Sequence, residues 1–166
     1  MAYKGEVLDA CGVIDIDFSS TEVVAVSGDG PNVCGHLLIH SGGRSGGYYF
    51  HVADLHDVPR YMSEAGYRRY LRDSGKTELR RLYVRLPNPQ NAMTYVEQLM
   101  ANKWRWLVLP NNCVSFCEEI IQAGGGTWGS YSNCPTIATE ETLSEQIQRF
   151  LTGLEAAIYN AYGVPR

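Results

Sequence analysis

Alternating and continuous runs of hydrophobic residues mark several short strands in the first two thirds of the chain. An apolar run over Val13–Phe18 precedes a serine pair and a second run over Glu22–Val26. Two further β-prone runs, Gly35–His40 and Gly47–Val52, flank a glycine-rich stretch. Because such stretches join antiparallel strands, the pattern predicts a β-hairpin with histidine in both strands. Another strand is predicted over Glu78–Leu86.

Helical periodicity separates and follows these strands. Residues 88–103 carry apolar side chains in helical rhythm, and Pro89 suits a first helical position. A second such helix is predicted from about Glu140 to Tyr162. The region 58–74 predicts an irregular, helical insertion. The polar, glycine-rich region Gly124–Thr139 predicts a long loop, and loops of that length tend to be functional.

The segment that begins at Asn111 predicts a helix with Cys113 in its first turn. An asparagine before the first turn can accept hydrogen bonds from the amides there, and the glycines from Gly124 onward end the helix. Its apolar residues give it a broad buried face: Val114, Phe116, Ile120 and Ile121. The helix dipole and the unpaired amides favour the thiolate, so we expect a lowered pKa for this cysteine. The alternative is a small apolar residue that packs under the helix.

Composition and charge limit the classes of protein to consider. The 166 residues, 45% of them hydrophobic and 19% charged, predict one globular domain over 1–166. A formal charge of -4 and the lack of a dense Lys/Arg run argue against nucleic-acid partners. No apolar stretch approaches the roughly 20 residues of a membrane span, and the chain lacks a secretory signal. We therefore expect synthesis in the cytoplasm without a Sec-type signal.

The five cysteines predict neither a disulfide framework nor a structural zinc site, because their number is odd and they form no CxxC pair. Cys113 and Cys117 share one helix face, but no histidine or acidic residue follows at a supporting spacing. We therefore expect no metal and no cofactor. Cys117 is predicted to lie in the core, one turn below Cys113.

Three side chains could form a nucleophile, a base and a group that orients the base: Cys113, His36 and His51. Antiparallel pairing of the predicted hairpin can bring both histidines together on one face. His40 lies on the same strand and the same face as His36, so it is the alternative base. His56 is either an alternative orienting group or a surface residue.

The order of these motifs resembles that of the circularly permuted NlpC-type papain-like superfamily. This group includes permuted cell-wall peptidases and amidases, lecithin:retinol acyltransferase-like enzymes, and PPPDE deubiquitinase-like proteins. The resemblance covers about residues 34–124 and rests on three motifs: Gly35-His36-Leu37-Leu38-Ile39, Phe50-His51, and Asn112-Cys113 with Phe116. It implies an α+β, papain-like fold with an antiparallel sheet packed against the helix that carries the nucleophile.

The resemblance also implies roles for individual residues. It makes Cys113 the nucleophile, His36 the general base and His51 the orienting group. The backbone amide of Cys113 would bind the oxyanion, with Asn112 or Asn111 as a second donor. The residue after the nucleophile is valine, where the acyltransferase-like enzymes have glutamate, which argues against lipid acyl transfer.

The function that follows is a cysteine hydrolase, a thiol protease or amidase, that cleaves an amide bond, with peptidoglycan peptide as the favoured substrate. One hypothesis is an antibacterial toxin that a specialised secretion system exports to the periplasm of a target cell, with a cognate immunity or inhibitor protein as partner. The alternatives are a thioesterase, acyltransferase or isopeptidase on a lipid or protein conjugate, and a non-catalytic papain-like binding module.

Overall fold

The computed structural model of the chain describes residues 2–8, 16–28, 35–42, 46–52, 59–101 and 113–127. The chain divides into two units, and all of these residues belong to the first, Met1–Pro135. A single domain over 1–166 therefore stays a prediction. Several other predictions lie outside the described residues: His56, Asn111, Asn112, positions 13–15 of the first strand, the loop over 128–139 and the helix from Glu140 to Tyr162.

The described strands form one six-stranded sheet in which every neighbouring pair is antiparallel. The spatial order is β1-β5-β4-β3-β2-β6. The predicted hairpin and the strands at 22–26 and 78–86 are confirmed. The strands are β1 (Glu6–Val7), β2 (Ser20–Val26), β3 (His36–Gly42), β4 (Tyr48–His51), β5 (Arg60–Met62) and β6 (Glu78–Val84).

Three helices lie in the described ranges: α1 (Glu64–Asp73), α2 (Pro89–Ala101) and α3 (Cys113–Ala123). Ser63 caps α1, because its side chain accepts a hydrogen bond from the amide of Gly66 at 3.3 Å. Helix α2 begins at Pro89 and α3 begins at Cys113, as predicted. The α+β class is therefore confirmed. In the described ranges, the helices are too short or too polar to cross a membrane.

Two details of the sequence prediction are wrong. The structure describes residues 16–18 of the first predicted strand, and these three residues are not part of a β-strand. The Asp17 carboxylate accepts hydrogen bonds from the amide and hydroxyl of Ser19, and this starts a turn. The helical part of the predicted insertion at 58–74 is confirmed by α1, but residues 60–62 form strand β5, which pairs with β1. Strands of two and three residues are too short to produce a periodic pattern.

Side chains that alternate along the strands fill two clusters on opposite sides of the sheet. On the α3 face, Leu37 and Ile39 of β3 pack with residues of α2 and α3, including Phe116 and Ile120. On the α1 face, Leu38 packs with residues of β2, β4, β5 and α1. The cluster on the α1 face contains Val24, Val26, Leu38, Tyr49, Met62, Tyr67 and Tyr70. The backbone of β3 therefore separates two environments.

Candidate active site

His36 and His51 meet as the hairpin prediction requires. His36 is the first residue of β3 and His51 is the last residue of β4, and these strands are antiparallel. Nε2 of His36 lies 3.0 Å from Nδ1 of His51, and the two rings meet edge to face with centroids 5.1 Å apart. The prediction that strand pairing brings these two side chains together is confirmed.

A main-chain carbonyl determines which nitrogens of this pair carry hydrogen. Nε2 of His51 lies 2.9 Å from the carbonyl oxygen of Lys4, which can only accept a hydrogen bond. In neutral His51 the hydrogen is therefore on Nε2, and Nδ1 offers a lone pair. His36 must then donate through Nε2. In neutral His36, Nδ1 is therefore unprotonated and can act as a base.

Burial keeps this base uncharged. His51 is fully buried, and its ring lies 5.4 Å from that of Tyr70. Desolvation lowers the pKa of His36 well below its usual value of 6.5, and electrostatic effects of His51 and Lys76 lower it further. At neutral pH His36 is therefore a neutral imidazole, and the same burial makes it a weaker base than an exposed histidine.

Cys113, the first residue of α3, is 8% exposed and packs on the α3 face. Backbone amides of Leu37, Cys113 and Val114 lie near its sulfur and favour its thiolate form. Leu37 directly follows His36 in β3, so the sulfur lies against the peptide bond that joins these two residues. The nucleophile candidate is therefore next to the main chain of the base candidate.

The expected activation of Cys113 by the helix start is wrong. Burial raises the pKa of the Cys113 thiol, and the three backbone amides only reduce that rise. The loss of hydration opposes the charged form more strongly than the amides favour it. Cys117, fully buried one turn later, has a pKa raised well above 9.0, and its predicted place in the core is confirmed. Neither cysteine is in a disulfide.

The three candidate residues do not form one hydrogen-bonded group. Strand alternation places the imidazole of His36 on the α1 face with Leu38, and Leu37 on the α3 face with Cys113. Within the described ranges, the side chain of His36 makes its hydrogen bond to His51 and none to Cys113. Nδ1 is the ring nitrogen nearer to the main chain, so it is also the nitrogen nearer to the peptide that the thiol contacts.

His40, the alternative base, lies on the same face as His36 but in a different setting. Its Nδ1 lies 3.0 Å from a carboxylate oxygen of Glu22, and its ring packs on Tyr49 with centroids 4.4 Å apart. Its buried Nε2 has no hydrogen-bond partner in the part of the chain that the structure describes. The Cys113 thiol contacts the peptide that joins His36 and Leu37 at the start of β3, and His40 lies four residues after His36. The position of the thiol along β3 therefore favours His36 over His40 as the base.

Among the described residues, sequence reasoning missed the carbonyl of Lys4. Every residue has a carbonyl, so no residue type could mark this one, and Lys4 precedes His51 by 47 positions. The predicted oxyanion donors Asn112 and Asn111 lie outside the described residues. Among the described residues, no three His, Cys, Asp or Glu side chains form a group that could hold a metal ion.

These observations define an α+β protein with an oriented histidine pair and a buried thiol at the start of a helix. Comparisons with protein-family models, with curated proteins and with solved structures find no match for the chain.

Proposed function

We propose that this protein is a cysteine hydrolase of the permuted NlpC, papain-like type, which cleaves an amide bond. Cys113 is the nucleophile, His36 the general base and His51 the group that orients it. One observation carries the proposal: the hydrogen bonds from His36 to His51 and from His51 to Lys4 leave Nδ1 of His36 as an acceptor. The Cys113 sulfur rests against the peptide that joins His36 and Leu37, on the opposite face of β3 from the imidazole.

The reaction has two steps. The Cys113 sulfur bonds to the amide carbon while Nδ1 of His36 takes the thiol proton, and the carbonyl oxygen becomes an oxyanion. The carbon–nitrogen bond then breaks, and the amine leaves with the proton from His36. Water next attacks the thioester and gives a proton to His36. The carbon–sulfur bond breaks, the acid is released and the thiol recovers its proton.

In the resting state both the thiol and the imidazole are neutral, because the pKa of Cys113 is raised and that of His36 is lowered. The proton therefore moves during attack rather than before it. Once His36 is protonated, its Nε2–H still donates to His51, which stabilises the imidazolium. The backbone of β3 lies between the sulfur and the His36 imidazole, so the mechanism requires a rearrangement at the start of β3 that brings both groups to the substrate.

The oxyanion needs donors near Cys113. The backbone amides of Cys113 and Val114 lie at the start of α3 and already point at the sulfur. Amides at a helix start have no partner within the helix and favour negative charge. We infer that the amide of Cys113 contributes to the oxyanion site, with the Asn112 side chain as the proposed second donor.

Peptidoglycan peptide is the proposed substrate, and delivery to a target periplasm with a cognate immunity protein is the proposed setting. Val114 follows the nucleophile where the acyltransferase-like enzymes have glutamate, which supports an amide over a lipid ester. A thioesterase, acyltransferase or isopeptidase would use the same nucleophile and base. The mass of the trapped acyl-enzyme distinguishes these activities, because each leaves a different acyl group on Cys113.

The first test compares the two cysteines of α3. Purified protein is incubated with peptidoglycan, and released peptides are identified by mass spectrometry. We expect cleavage by the wild type, a loss of about 10³-fold or more in Cys113→Ala, and retained cleavage in Cys117→Ala. Cys117 is the matched control, since it is buried in the same helix one turn away. Equal activity of Cys113→Ala and wild type would exclude this mechanism.

The second test compares the two candidate bases. His36→Ala should lower kcat by about 10²- to 10⁴-fold, because general base catalysis contributes that much. His40→Ala should change kcat much less, since its imidazole lies beside Glu22 rather than beside the Cys113 contact. The reverse order would make His40 the base. If the folded wild type cleaves no amide, thioester or isopeptide substrate, the non-catalytic binding module replaces the hydrolase.

A further inference from the structure

The segment just before strand β1 contributes a main-chain carbonyl to the candidate site. The Lys4 carbonyl, two residues before β1, accepts the hydrogen bond from Nε2 of His51 at 2.9 Å. We propose that the segment 3–8 is a positioning element of the base. Its Lys4 carbonyl sets the tautomer of His51, and His51 in turn sets the tautomer of His36.

The segment has a backbone conformation that aims this carbonyl. Gly5 has φ +93°, in the left-handed region that side chains other than glycine rarely adopt. A Cβ at this position would lie 2.9 Å from the Tyr61 carbonyl oxygen and 2.9 Å from Cγ of Met62. The Gly5 carbonyl accepts a hydrogen bond from Nη1 of Arg60 at 3.1 Å. The carbonyls of Lys4 and Gly5 are thus each held by a side-chain donor.

Contacts on both sides of Gly5 hold the segment in place. Glu6 and Val7 pair with β5, and the amide of Leu8 donates to the Pro59 carbonyl at 2.9 Å. The guanidinium of Arg69, on α1, lies 4.6 Å from the ring centre of Tyr3. The position of the Lys4 carbonyl is therefore coupled to β5 and α1.

Losing this acceptor would reverse the hydrogen bonds of the pair. Without it, His51 can carry its hydrogen on Nδ1 and donate to Nε2 of His36. Neutral His36 would then carry its own hydrogen on Nδ1, the nitrogen that the proposed reaction needs unprotonated. The catalytic consequence rests on the proposed function, whereas the tautomers of the two histidines do not.

The test reads the tautomers directly, by NMR of protein with ¹⁵N-labelled histidine. The wild type should show hydrogen on Nε2 of both His36 and His51 and none on Nδ1. In Gly5→Ala, the Nδ1 signal of His36 should move toward the protonated position. The matched control is Gly75→Ala, which also adds a Cβ at positive φ, +61°, but where no atom lies within 4 Å of it. That variant should keep the wild-type tautomers.

Kinetics of the same variants then test the catalytic part. Gly5→Ala should lower kcat about tenfold or more and leave KM within about twofold, because binding groups are unchanged. In a His51→Gln background the Gly5→Ala effect should shrink. The amide of glutamine has a fixed acceptor and a fixed donor, and cannot exchange them as the imidazole does. A purely structural role of the segment would give the same loss in both backgrounds.

The outcomes separate the two proposals. Hydrogen on Nδ1 of His36 in the wild type overturns the positioning proposal whether or not the protein is active, and it needs no variant to fold. The expected tautomers and their change in Gly5→Ala, together with no hydrolysis by the wild type, support the positioning of His36 and overturn the proposed function. An unchanged kcat in a Gly5→Ala protein with altered tautomers overturns the catalytic consequence.

Discussion

The α3 face and the α1 face of one sheet are both buried, but different side chains fill them. The α3 face is an apolar cluster that contains the Cys113 thiol. The α1 face combines a smaller apolar cluster of residues, four of them aromatic or sulfur-containing, with histidines, carboxylates and an arginine. The apolar face keeps a thiol protonated, and the polar face orients an imidazole by hydrogen bonds. Adjacent residues of β3 point to different faces, so one strand contributes side chains to both environments.

Arg81 lies at the centre of the hydrogen-bonded network on the α1 face. Its guanidinium donates to Glu22 at 2.7 Å, to Glu78 at 2.9 Å and to the hydroxyl of Tyr49 at 2.8 Å. Tyr49 in turn donates to Glu64 at 2.7 Å, and burial raises its pKa to about 12. Its ring stacks on Tyr67 with centroids 4.0 Å apart. On this face, charges and hydroxyls take the place of part of an apolar core.

The largest predicted effect on stability belongs to the apolar face. Phe116→Ala removes a fully buried ring from α3 and should lower the free energy of unfolding by about 3–5 kcal/mol. Urea denaturation measures this loss. Gln122→Ala, at an exposed position of the same helix, is the control and should change stability by less than about 0.5 kcal/mol. Equal effects of the two changes would mean that α3 does not pack on the sheet as described.

A smaller loss is expected at the centre of the polar face. Arg81→Met leaves Glu22 and Glu78 without their shared donor and should cost about 1–3 kcal/mol. The partners are partly exposed to water, which limits the cost. Arg85→Met, just beyond the end of β6 and exposed, is the matched control. A stability equal to that of the control would show that the hydrogen bonds of Arg81 do not stabilise the fold.

Acidification should weaken the polar face first. The hydrogen bond from Arg81 holds the pKa of Glu78 below 4.5, so its carboxylate stabilises the fold above that pH. This contribution is lost as the pH falls through the pKa of Glu78 in the folded protein. Denaturation curves at pH 7 and below pH 4.5 should therefore differ less in Glu78→Gln than in the wild type. An identical pH dependence of both proteins would contradict this.

The smallest effect on stability is expected at a solvent-exposed ion pair of α1. Arg68 donates to Glu64 at 3.0 Å across one turn of α1, but their side chains are 75% and 47% exposed. Arg68→Ala should change the free energy of unfolding by less than about 0.5 kcal/mol, because exposed pairs contribute little. Comparison with Arg81→Met in the same denaturation experiment tests whether burial, rather than charge pairing itself, makes the network stabilising.

Strand and helix patterns predicted much of this architecture from the sequence. The alternation around the glycine-rich turn was sufficient to predict the hairpin and the contact between His36 and His51. The helix that begins at Cys113 followed from its apolar face and the glycines after it. These features depend on residues close in sequence, so local patterns contain the information.

Features set by tertiary contacts could not be predicted in the same way. The pKa of Cys113 depends on how deeply α3 packs, and a helix-start argument covers only the local amides. Whether His36 lies on the same face of the sheet as Cys113 depends on the register of β3. A shift of one residue would move every side chain of the strand to the opposite face. Strand β5 is held by its pairing with β4 and β1, and β1 by its pairing with β5, and neither has a pattern of its own.

The covered sulfur of Cys113 has a further consequence for survival in an oxidising environment. Peroxides and disulfides react with the thiolate, and a buried thiol with a raised pKa presents little of it. The side chain should therefore resist oxidation in the resting protein. In a compartment with an oxidising potential, this burial should keep the Cys113 thiol reduced for longer than an exposed cysteine.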